Sequence, residues 1–385
     1  MRPLHPLRDL TLEELRTRTS IKWQEVEADV LPLWVAEMDV HVAQPVADAL
    51  TAAIAAGDTG YPHGTAYAAA FADFAADRWG WAGVDPAATA WAADVMTGLT
   101  ESIRLVSAPG DPVVISPPVY PPFFGFVEHA DRVLVEAPLG AAGRLDLDAV
   151  EAAFIHAVAD GRPVTYLLCN PHNPTAVVHT REELAAVAAL AATYRVRVVV
   201  DEIHGPLVAE GFVPYLSVSD DALVVTSASK GWNLAGLKAA LVVAGPQSAA
   251  DLARLPEIVS HGPSHLGVLA HTVALRDGRP WLDALHADLA DNRALLAKLL
   301  AEHLPDVRWD RGPGTYLAWL DCRDLGLGDD PAAAFLQRGR VAVNSGLPFG
   351  TGGAGHVRLN LGTTPDILTE AITRMGRVAA TGPRS

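Results

Sequence analysis

Short apolar runs alternate with helical stretches along the middle of the chain, from about residue 91 to residue 243. The runs are rich in β-branched residues and lack polar alternation, which is typical of strands buried on both faces. These runs are Val113–Ile115, Arg132–Val135, Val164–Cys169, Val196–Val200, Leu223–Val225 and Ala239–Val243. Helical periods lie between most of them, and Arg181–Tyr194 is the clearest. The alternation predicts an α/β fold whose mainly parallel central sheet is covered by helices.

The pattern differs on both sides of this region. Before it, the run Leu31–Asp39 is apolar but irregular, which predicts a fixed loop rather than a helix. After Pro263 the chain is rich in helical periods to about Leu300, and shorter strand-like segments follow. We therefore predict a large domain at residues 51–285 and a smaller α/β domain at residues 286–385.

Composition excludes several classes of protein. The chain has 385 residues, of which 50% are hydrophobic and 19% charged, as expected of a folded globular protein with a sizeable core. The formal net charge is −16 and no basic run offsets it, so a nucleic acid would be repelled overall. Nucleic acid is therefore not expected as a partner.

Cysteine usage and hydropathy indicate the compartment. Cys169 and Cys322 lie in separate apolar runs, which favours two buried, reduced thiols over a disulfide. No apolar run approaches the roughly 20 residues that a membrane helix needs. The segment Met1–Pro6 lacks the long apolar core of a signal peptide. We expect a cytoplasmic protein that does not bind a membrane.

Lys230 is the first candidate for chemistry. It follows the apolar run Leu223–Val225 in the sequence Ser227-Ala-Ser-Lys230-Gly, among small hydroxyl residues and glycine. A lysine at the end of a strand, beside groups suited to a phosphate, is typical of an amine that forms a Schiff base with a carbonyl cofactor. By itself the motif is equally compatible with an exposed loop lysine.

Polar side chains also follow two other predicted strands. Asp201 ends the run Val196–Val200, and a buried carboxylate needs a cation, which a protonated pyridine nitrogen would supply. His204 could reach the phenolic oxygen of the same ring. Asn173 lies between two prolines after Cys169 and could donate to that oxygen. Asp-Glu at a strand end also occurs in metal sites, but no HExxH motif or paired cysteine spacing completes one.

A possible anion site follows the predicted strand Ala92–Met96. There Gly98, Leu99 and Thr100 are expected to open a helix, whose free N–H groups would bind a phosphate. Many helices begin in this way, so the signal is weak alone.

Tyr120 and Arg358 complete the candidate set. Prolines on both sides stiffen the loop that carries Tyr120, which would suit stacking on a flat ring, although a core aromatic is the simpler reading. Arg358 lies in the alternating run His356–Leu361 and, if it points inward, could bind a substrate carboxylate with two hydrogen bonds. A surface salt bridge is equally compatible with this position.

Taken in order, these residues resemble the fold-type-I pyridoxal-phosphate enzymes of the class I/II aminotransferase superfamily. Within it, the chain resembles the cystathionine β-lyase-like C–S lyase branch. The resemblance covers nearly the whole chain. Its carriers are Leu33–Asp39, Pro118–Phe124, Cys169–Pro174, Asp201–His204, Ser229–Leu237 and Arg358–Asn360.

The resemblance implies a role for each site residue. Lys230 would hold the cofactor and act in catalysis, with Asp201 at the ring nitrogen and Tyr120 stacked on the ring. Arg358 and Asn173 would bind substrate, and Asn173 and His204 would also contact the cofactor. The residues expected around the phosphate are Gly98, Leu99, Thr100, Ser227, Ser229 and Lys238.

The resemblance also implies a homodimer with shared active sites. Tyr61 matches the tyrosine that reaches the neighbouring subunit's phosphate and substrate. Residues 1–50 are expected to pack beside the small domain. The chain departs from the family pattern at four positions, which are Glu37, Pro62, His204 and Lys238.

Three functions stay open on the sequence alone. The first is β-elimination from a cysteine S-conjugate such as L-cystathionine, which gives a thiol, pyruvate and ammonia. The second is transamination by a class I/II aminotransferase, because both reactions use the same lysine, aspartate, asparagine and arginine. The third is a regulatory module that binds pyridoxal phosphate without catalysis. The Trp34–Asp39 block, His204 in place of a tyrosine, and the Asn233–Leu237 motif favour the lyase.

Overall fold

The computed structural model describes residues 4–380, so residues 1–3 of the segment considered for a signal peptide lie outside it. The chain divides into two units. The larger unit comprises Val42–His172 and Val177–Pro280. The smaller unit comprises the described residues up to His41, the segment Asn173–Ala176, and the described residues from Trp281 onward. From the sequence, the corresponding boundaries were expected at residues 51 and 286.

The strands are short and most are buried. They are β1 (Leu31–Pro32), β2 (Thr89–Ala92), β3 (Pro112–Ile115), β4 (Val133–Glu136), β5 (Val164–Cys169), β6 (Val196–Asp201), β7 (Ala222–Thr226), β8 (Ala240–Ala244), β9 (Leu317–Asp321), β10 (Val341–Ala342), β11 (Asn344–Ser345) and β12 (His356–Asn360).

The α-helices range from single turns to one of 25 residues. They are α1 (Leu12–Arg16), α2 (Ile21–Gln24), α3 (Gln44–Ala56), α4 (Ala66–Trp79), α5 (Val95–Val106), α6 (Pro122–His129), α7 (Leu147–Val158), α8 (Arg181–Tyr194), α9 (Ala249–Leu252), α10 (Glu257–Ser260), α11 (His265–Asp277), α12 (Arg279–His303), α13 (Pro331–Gly339) and α14 (Pro365–Ala380).

The larger unit is built on a seven-stranded sheet with the order β2-β8-β7-β6-β5-β3-β4. Strand β8 runs antiparallel to both of its neighbours, and β3 to β7 pair in parallel. Every residue of β3, β5 and β7 is buried, which explains why these runs are apolar without alternation. The predicted α/β fold with a mainly parallel sheet is confirmed.

One face of this sheet is covered by α5 and α6. Leu99 and Ile103 of α5 and Phe123 of α6 belong to one apolar cluster with strand residues such as Val113 and Val225. Asp201 pairs in register with Cys169 of β5 and with Val225 of β7. The loops that leave the carboxyl ends of β5, β6 and β7 therefore start at the same edge of the sheet, where ligands bind in folds of this kind.

The smaller unit joins both ends of the chain. Leu10, Leu15 and Trp23 belong to one buried apolar cluster with residues of α12, β9, β12 and α14. Strand β1 pairs in parallel with β10, and β9, β12 and β11 form an antiparallel sheet. The N-terminal segment thus packs with the C-terminal residues, because its apolar side chains help to close their core.

One predicted element is wrong. The run Ala92–Met96 was expected to be a strand, but β2 ends at Ala92 and α5 begins at Val95. Asp94 makes the difference, because its side chain accepts a hydrogen bond from the Thr97 N–H at 2.8 Å and caps the helix there.

Two further expectations concern thiols and the membrane. Cys169 and Cys322 are both buried and form no disulfide, as predicted. Between residues 4 and 380, no helix has both the length and the apolar character that crossing a bilayer would require.

Candidate active site

The loop that carries Lys230 is fixed on both sides of the lysine. The Ser227 hydroxyl donates to the Ala239 carbonyl at 2.8 Å and accepts from the Ser229 N–H at 3.1 Å. Beyond Lys230, the buried Trp232 indole donates to the Gly278 carbonyl at 2.9 Å. Lys230 itself is half-buried. Ser227 thus holds the loop through two hydrogen bonds, and its role at the cofactor phosphate stays a prediction.

Asp201 is a buried carboxylate near this lysine. It is 5% exposed and accepts a hydrogen bond from the Ile203 N–H at 3.0 Å. Burial raises the pKa of Asp201 to about 6, although the Ile203 N–H and the charge of Lys230 act in the opposite direction. A cation placed against this carboxylate would therefore be strongly favoured.

The neighbouring residue Glu202 ties the loops after β5 and β6 together. Its carboxyl group accepts from the Asn170 amide at 3.0 Å and from the Tyr215 N–H at 2.7 Å. Burial raises the pKa of Glu202 to about 8, despite these two hydrogen bonds. His204, two residues further on, is also buried. The edge of the sheet around Asp201 is thus dry and held in place.

Tyr120 lies on a loop that a buried histidine holds. His172 Nε2 lies 2.9 Å from the Pro118 carbonyl. Burial lowers the pKa of His172 to about 4, so the ring is neutral at physiological pH and donates this hydrogen bond. Tyr120 is half-buried and packs edge-on against Phe123, with ring centroids 6.4 Å apart. His172 therefore links the loop after β5 to the loop after β3.

The start of α5 and the Lys238 ammonium converge on one carboxylate. Asp94 Oδ2 lies 2.8 Å from Lys238 Nζ, while Asp94 Oδ1 caps the helix. The helix itself offers no acceptor to the N–H groups of Val95 and Met96, its first two residues. Two features that attract anions, a helix N-terminus and a lysine, thus meet here.

Gly98, Leu99 and Thr100 lie in the second turn of α5 and do not open it, contrary to the sequence prediction. The Gly98 N–H donates to the Asp94 carbonyl at 2.9 Å, and the Thr100 hydroxyl donates to the Met96 carbonyl at 3.0 Å. Leu99 is part of the core. A Cβ on Gly98 would lie 2.7 Å from Val225, so this glycine allows α5 to pack closely on β7.

In the smaller unit, Arg358 of β12 points inward and is 5% exposed. Its guanidinium donates to Asn173 Oδ1 at 3.1 Å and to Asn344 Oδ1 at 2.8 Å. It also donates to the Trp34 carbonyl at 3.2 Å and lies 5.2 Å from the centre of the Phe349 ring. Because it is buried in these contacts, Arg358 is not the surface salt bridge that the sequence left open.

Side chains from distant parts of the chain bind the carbonyls of the Leu33–Asp39 loop. The Asn360 amide donates to the carbonyls of Val35 and Glu37, both at 2.7 Å. The Tyr316 hydroxyl donates to the Ala36 carbonyl at 2.8 Å. Lys22 and Asp39, both fully buried, form an ion pair of 2.7 Å at the end of the loop. The fixed loop that the sequence predicted is thus held by a set of buried polar contacts.

Tyr61 is 93% exposed and lies between α3 and α4. It differs in this respect from the other site residues of the larger unit, which are buried or half-buried except for Lys238. An exposed tyrosine of this kind is accessible to another molecule.

Three residues next to the predicted site residues, Asp94, Tyr67 and His271, were not predicted from the sequence. Asp94 had a local signal, since aspartate is a preferred N-cap residue. Tyr67 and His271, which contact each other and the Lys230 loop, had none, because they lie 204 positions apart in the chain.

Comparison with known proteins identifies the family. The family model "Aminotransferase class I and II" matches residues 28–375. A Mycobacterium leprae protein, provisionally named cystathionine beta-lyase, is 54% identical over 97% of this chain and 98% of its own length. The cystathionine beta-lyase of Corynebacterium glutamicum is 34% identical over 95% of this chain and 98% of its own.

A solved structure agrees with these relatives. The crystal structure of a Corynebacterium diphtheriae protein, provisionally described as a PLP-dependent beta-cystathionase, superposes with a TM-score of 0.90. It is 34% identical and covers 98% of this chain and 100% of its own.

The residues present fit the cofactor that these relatives indicate. Pyridoxal 5′-phosphate needs an amine, a counter-ion for its ring nitrogen and an anion site for its phosphate. Lys230 supplies the amine, and Asp201, whose pKa is raised by burial, suits the ring nitrogen. The start of α5 and Lys238 suit an anion. The chain therefore belongs to the class I and II aminotransferase family, in its branch of pyridoxal-phosphate-dependent, cystathionine β-lyase-like C–S lyases.

Proposed function

We propose that the protein cleaves the C–S bond of cysteine S-conjugates such as L-cystathionine by β-elimination. The C–S bond breaks, the sulfur leaves as a thiol, and water replaces the α-nitrogen, so the other products are pyruvate and ammonia. The proposal is carried by one observation: Asp201 is buried at one edge of the sheet, and the charge of Lys230 acts on its carboxylate. The names of the relatives in this branch support cleavage at sulfur.

Bound pyridoxal phosphate supplies an electron sink for the negative charge that develops at the substrate Cα. In this chain the Lys230 amine holds the cofactor, and once substrate displaces it, the amine removes the proton from Cα. Asp201 keeps the ring nitrogen protonated, because its buried carboxylate stabilises a cation beside it. Tyr120 would stack on the ring, and His204 would contact the ring oxygen.

Arg358 receives the α-carboxylate of the substrate. Asn173 and Asn344 accept hydrogen bonds from the guanidinium and fix its position. Fixed donors keep more binding energy than mobile ones, because less side-chain entropy is lost when the ligand binds. Asn173 also contacts the ring oxygen of the cofactor, in the role that the resemblance gives it.

Incubation of the holoenzyme with L-cystathionine, without any keto acid, tests the reaction. We expect pyruvate and free thiol to accumulate over many turnovers, because elimination regenerates the enzyme in its starting form. The measurement is the amount of pyruvate and thiol per active site over time. Arg358→Ala should raise KM for the amino acid strongly, which serves as a check that the α-carboxylate is bound at Arg358.

An aminotransferase gives the opposite result in the same experiment. It would stop after one half-reaction, with no more than one keto-acid equivalent per site. Relatives named as transaminases do occur at lower identity, such as the arginine–pyruvate transaminase of Pseudomonas aeruginosa at 26%. If added 2-oxoglutarate is required for turnover with every cysteine conjugate tried, transamination is the function.

The phosphate of the cofactor is proposed to lie at the start of α5, against the N–H groups of Val95 and Met96, with Ser229 and Lys238 beside it. In that position Asp94 opposes the phosphate, because it is an anion paired with the same lysine at 2.8 Å. Burial resists ionisation of Asp94, but hydrogen bonds from Lys238 and Thr97 outweigh it and lower the pKa. Asp94 is therefore charged at neutral pH.

Replacing this carboxylate by an amide should tighten cofactor binding. Asp94→Asn keeps the helix cap but removes the charge, so we expect affinity for pyridoxal phosphate to rise roughly two- to fivefold, in line with the strength of an exposed ion pair. Equilibrium dialysis of the cofactor-free protein measures this. Asp146→Asn is the matched control, since Asp146 caps α7 through the Asp148 and Ala149 N–H groups.

Pyridoxal, which lacks the phosphate, separates the two possible causes. Its affinity should be unchanged in Asp94→Asn if the effect acts through the phosphate. Equal tightening of both ligands, or weaker binding of pyridoxal phosphate, would contradict a phosphate site beside Asp94.

We further propose a homodimer in which Tyr61 reaches the cofactor phosphate or substrate in the neighbouring subunit. The exposure of this tyrosine supports the proposal. Tyr61→Phe should weaken cofactor retention in a dimer of unchanged size, because only one hydroxyl is lost. Sedimentation with a cofactor-release assay tests both points, and a fully active monomer at working concentration would contradict shared sites.

A cytoplasmic location is also proposed. Cys169 and Cys322 are buried, and neither forms a disulfide within the described part of the chain. Reduced cysteines are typical of cytosolic proteins, where disulfides rarely persist. Fractionation of cells that produce the protein would test this directly.

A further inference from the structure

Behind the Lys230 loop lies a buried polar cluster of Tyr67, Ser227 and His271. Tyr67 belongs to α4 and His271 to α11, and they are 1% and 0% exposed. The Tyr67 hydroxyl lies 3.2 Å from His271 Nδ1, and the Ser227 hydroxyl lies 3.3 Å from the same nitrogen. The Tyr67 and His271 rings pack edge to face with centroids 5.6 Å apart. Two helices distant in sequence thus meet at the first residue of the loop.

The protonation states of Tyr67 and His271 indicate which group donates the hydrogen bond between them. Burial lowers the pKa of His271 to about 4, although the carbonyls of Leu234 and Leu237 act to raise it. The ring is therefore neutral at physiological pH. Burial also raises the pKa of Tyr67 above its usual value, so its hydroxyl keeps its proton. The Tyr67 hydroxyl can thus donate to His271 Nδ1.

These contacts reach the loop on both sides of the lysine. Tyr67 interacts with Ser227 and with the Ala228 backbone, which precede Lys230. His271 interacts with Leu234 and Leu237, which follow it. With Ser227, Tyr67 and His271 thus form one buried polar cluster that packs against the loop. A catalytic amine needs such support, because small displacements of a reacting group reduce rate strongly.

We propose that Tyr67 and His271 are positioning residues that set the conformation of the Lys230 loop and hence the placement of its amine. The proposal rests on the proposed function, in which Lys230 holds the cofactor. Neither residue needs to touch the cofactor or substrate. Their effect is transmitted through Ser227 and Ala228 on one side and through Leu234 and Leu237 on the other.

Tyr67→Phe is the central test, with Tyr166→Phe as the matched control. Tyr166 is also fully buried in the larger unit, and its hydroxyl is likewise paired with a serine, Ser116, at 2.9 Å. Each substitution removes one buried hydroxyl. Three quantities are measured for both variants: the thermal midpoint of the cofactor-free protein, the dissociation constant for pyridoxal phosphate, and kcat with KM for L-cystathionine.

We expect both variants to lose a similar amount of thermal stability. Tyr67→Phe alone should weaken cofactor binding, roughly five- to tenfold, the equivalent of one buried hydrogen bond. It should also lower kcat more than it changes KM and shift the absorption maximum of the bound cofactor. If Tyr67→Phe and Tyr166→Phe have the same cofactor affinity, kcat and absorption maximum, the positioning role is refuted.

Two substitutions of His271 test the positioning role independently of Tyr67→Phe. Asparagine keeps a hydrogen-bond acceptor near the position of Nδ1, whereas leucine removes every polar atom. We expect His271→Asn to retain more cofactor affinity than His271→Leu, and equal losses would count against the hydrogen bond with Tyr67. A wild-type protein that binds no pyridoxal phosphate would overturn the proposed function and this inference together, whereas normal wild-type binding with unaffected variants overturns only the inference.

Discussion

Lys230→Ala is expected to abolish turnover while leaving the cofactor-free fold intact. The amine is proposed both to hold the cofactor and to move the proton at Cα, and alanine can do neither. The side chain is half-buried and the loop is fixed by Ser227 and Trp232 instead, so its loss should disturb the fold little. Pyruvate formation from L-cystathionine, the absorbance of bound cofactor and the thermal midpoint together measure this.

The small number of lysines makes the assignment sharper. The chain contains four, Lys22, Lys230, Lys238 and Lys298. Lys22 is fully buried against Asp39 and Lys238 pairs with Asp94, so borohydride reduction of the holoenzyme should label Lys230. Peptide mass mapping identifies the labelled residue. Lys298→Ala, which removes an exposed lysine, is the control and should keep full activity; a label on any other lysine, or normal turnover in Lys230→Ala, would refute the assignment.

The sequence revealed those parts of the site that carry a local signal. Lys230 and Asp201 each follow an apolar run that lies buried in the sheet, and parallel strands bring such positions to one edge. The strand bounds were predicted well for the same reason, because a run buried on both faces contrasts with everything around it. The strand Val164–Cys169 was predicted with the bounds that the structure has. The same is true of the helix Arg181–Tyr194.

The remaining features depend on contacts that no local pattern records. At the start of α5, the apolar side chains of Ala92–Met96 favoured a strand, but the helix cap at Asp94 prevailed. The hydrogen-bond acceptors around Arg358 belong to Trp34, Asn173 and Asn344, which are far from it in sequence or on another strand. The sequence also did not predict that Asn173–Ala176 belongs to the smaller unit. This segment has only four residues, and the segments on both sides of it belong to the larger unit.

The other large effect is expected at Asp201. Asp201→Ala or Asp201→Asn should reduce kcat/KM by several orders of magnitude, because a ring nitrogen without its carboxylate loses its proton and no longer draws charge from Cα. Asparagine is the sharper test, since it has the shape of aspartate and can still accept the hydrogen bond from the Ile203 N–H. The cofactor should still bind through Lys230 and its phosphate. A near-wild-type rate in either variant would show that ring protonation is unimportant here.

Asp201→Asn should also make the cofactor-free protein more stable than wild type above about pH 6. Burial raises the pKa of Asp201 from 3.8 to about 6, so its stabilising effect is complete below the unfolded-state pKa and is lost as pH rises through the folded-state value. Asparagine does not titrate. The free energy of unfolding of Asp201→Asn minus that of wild type should therefore increase between about pH 4 and about pH 8, by up to roughly 3 kcal/mol.

Urea unfolding of both cofactor-free proteins across this pH range measures the difference. Glu202, whose pKa is raised to about 8 mainly by burial, is present in both proteins, so most of its own contribution cancels. Pyridoxal phosphate should reverse the order, because the ion pair with the ring nitrogen turns the buried charge of Asp201 from a destabilising group into a stabilising one. If the difference in unfolding free energy between the two proteins does not vary with pH, Asp201 is solvated in the cofactor-free protein. Its carboxylate would then gain little from a cation beside it.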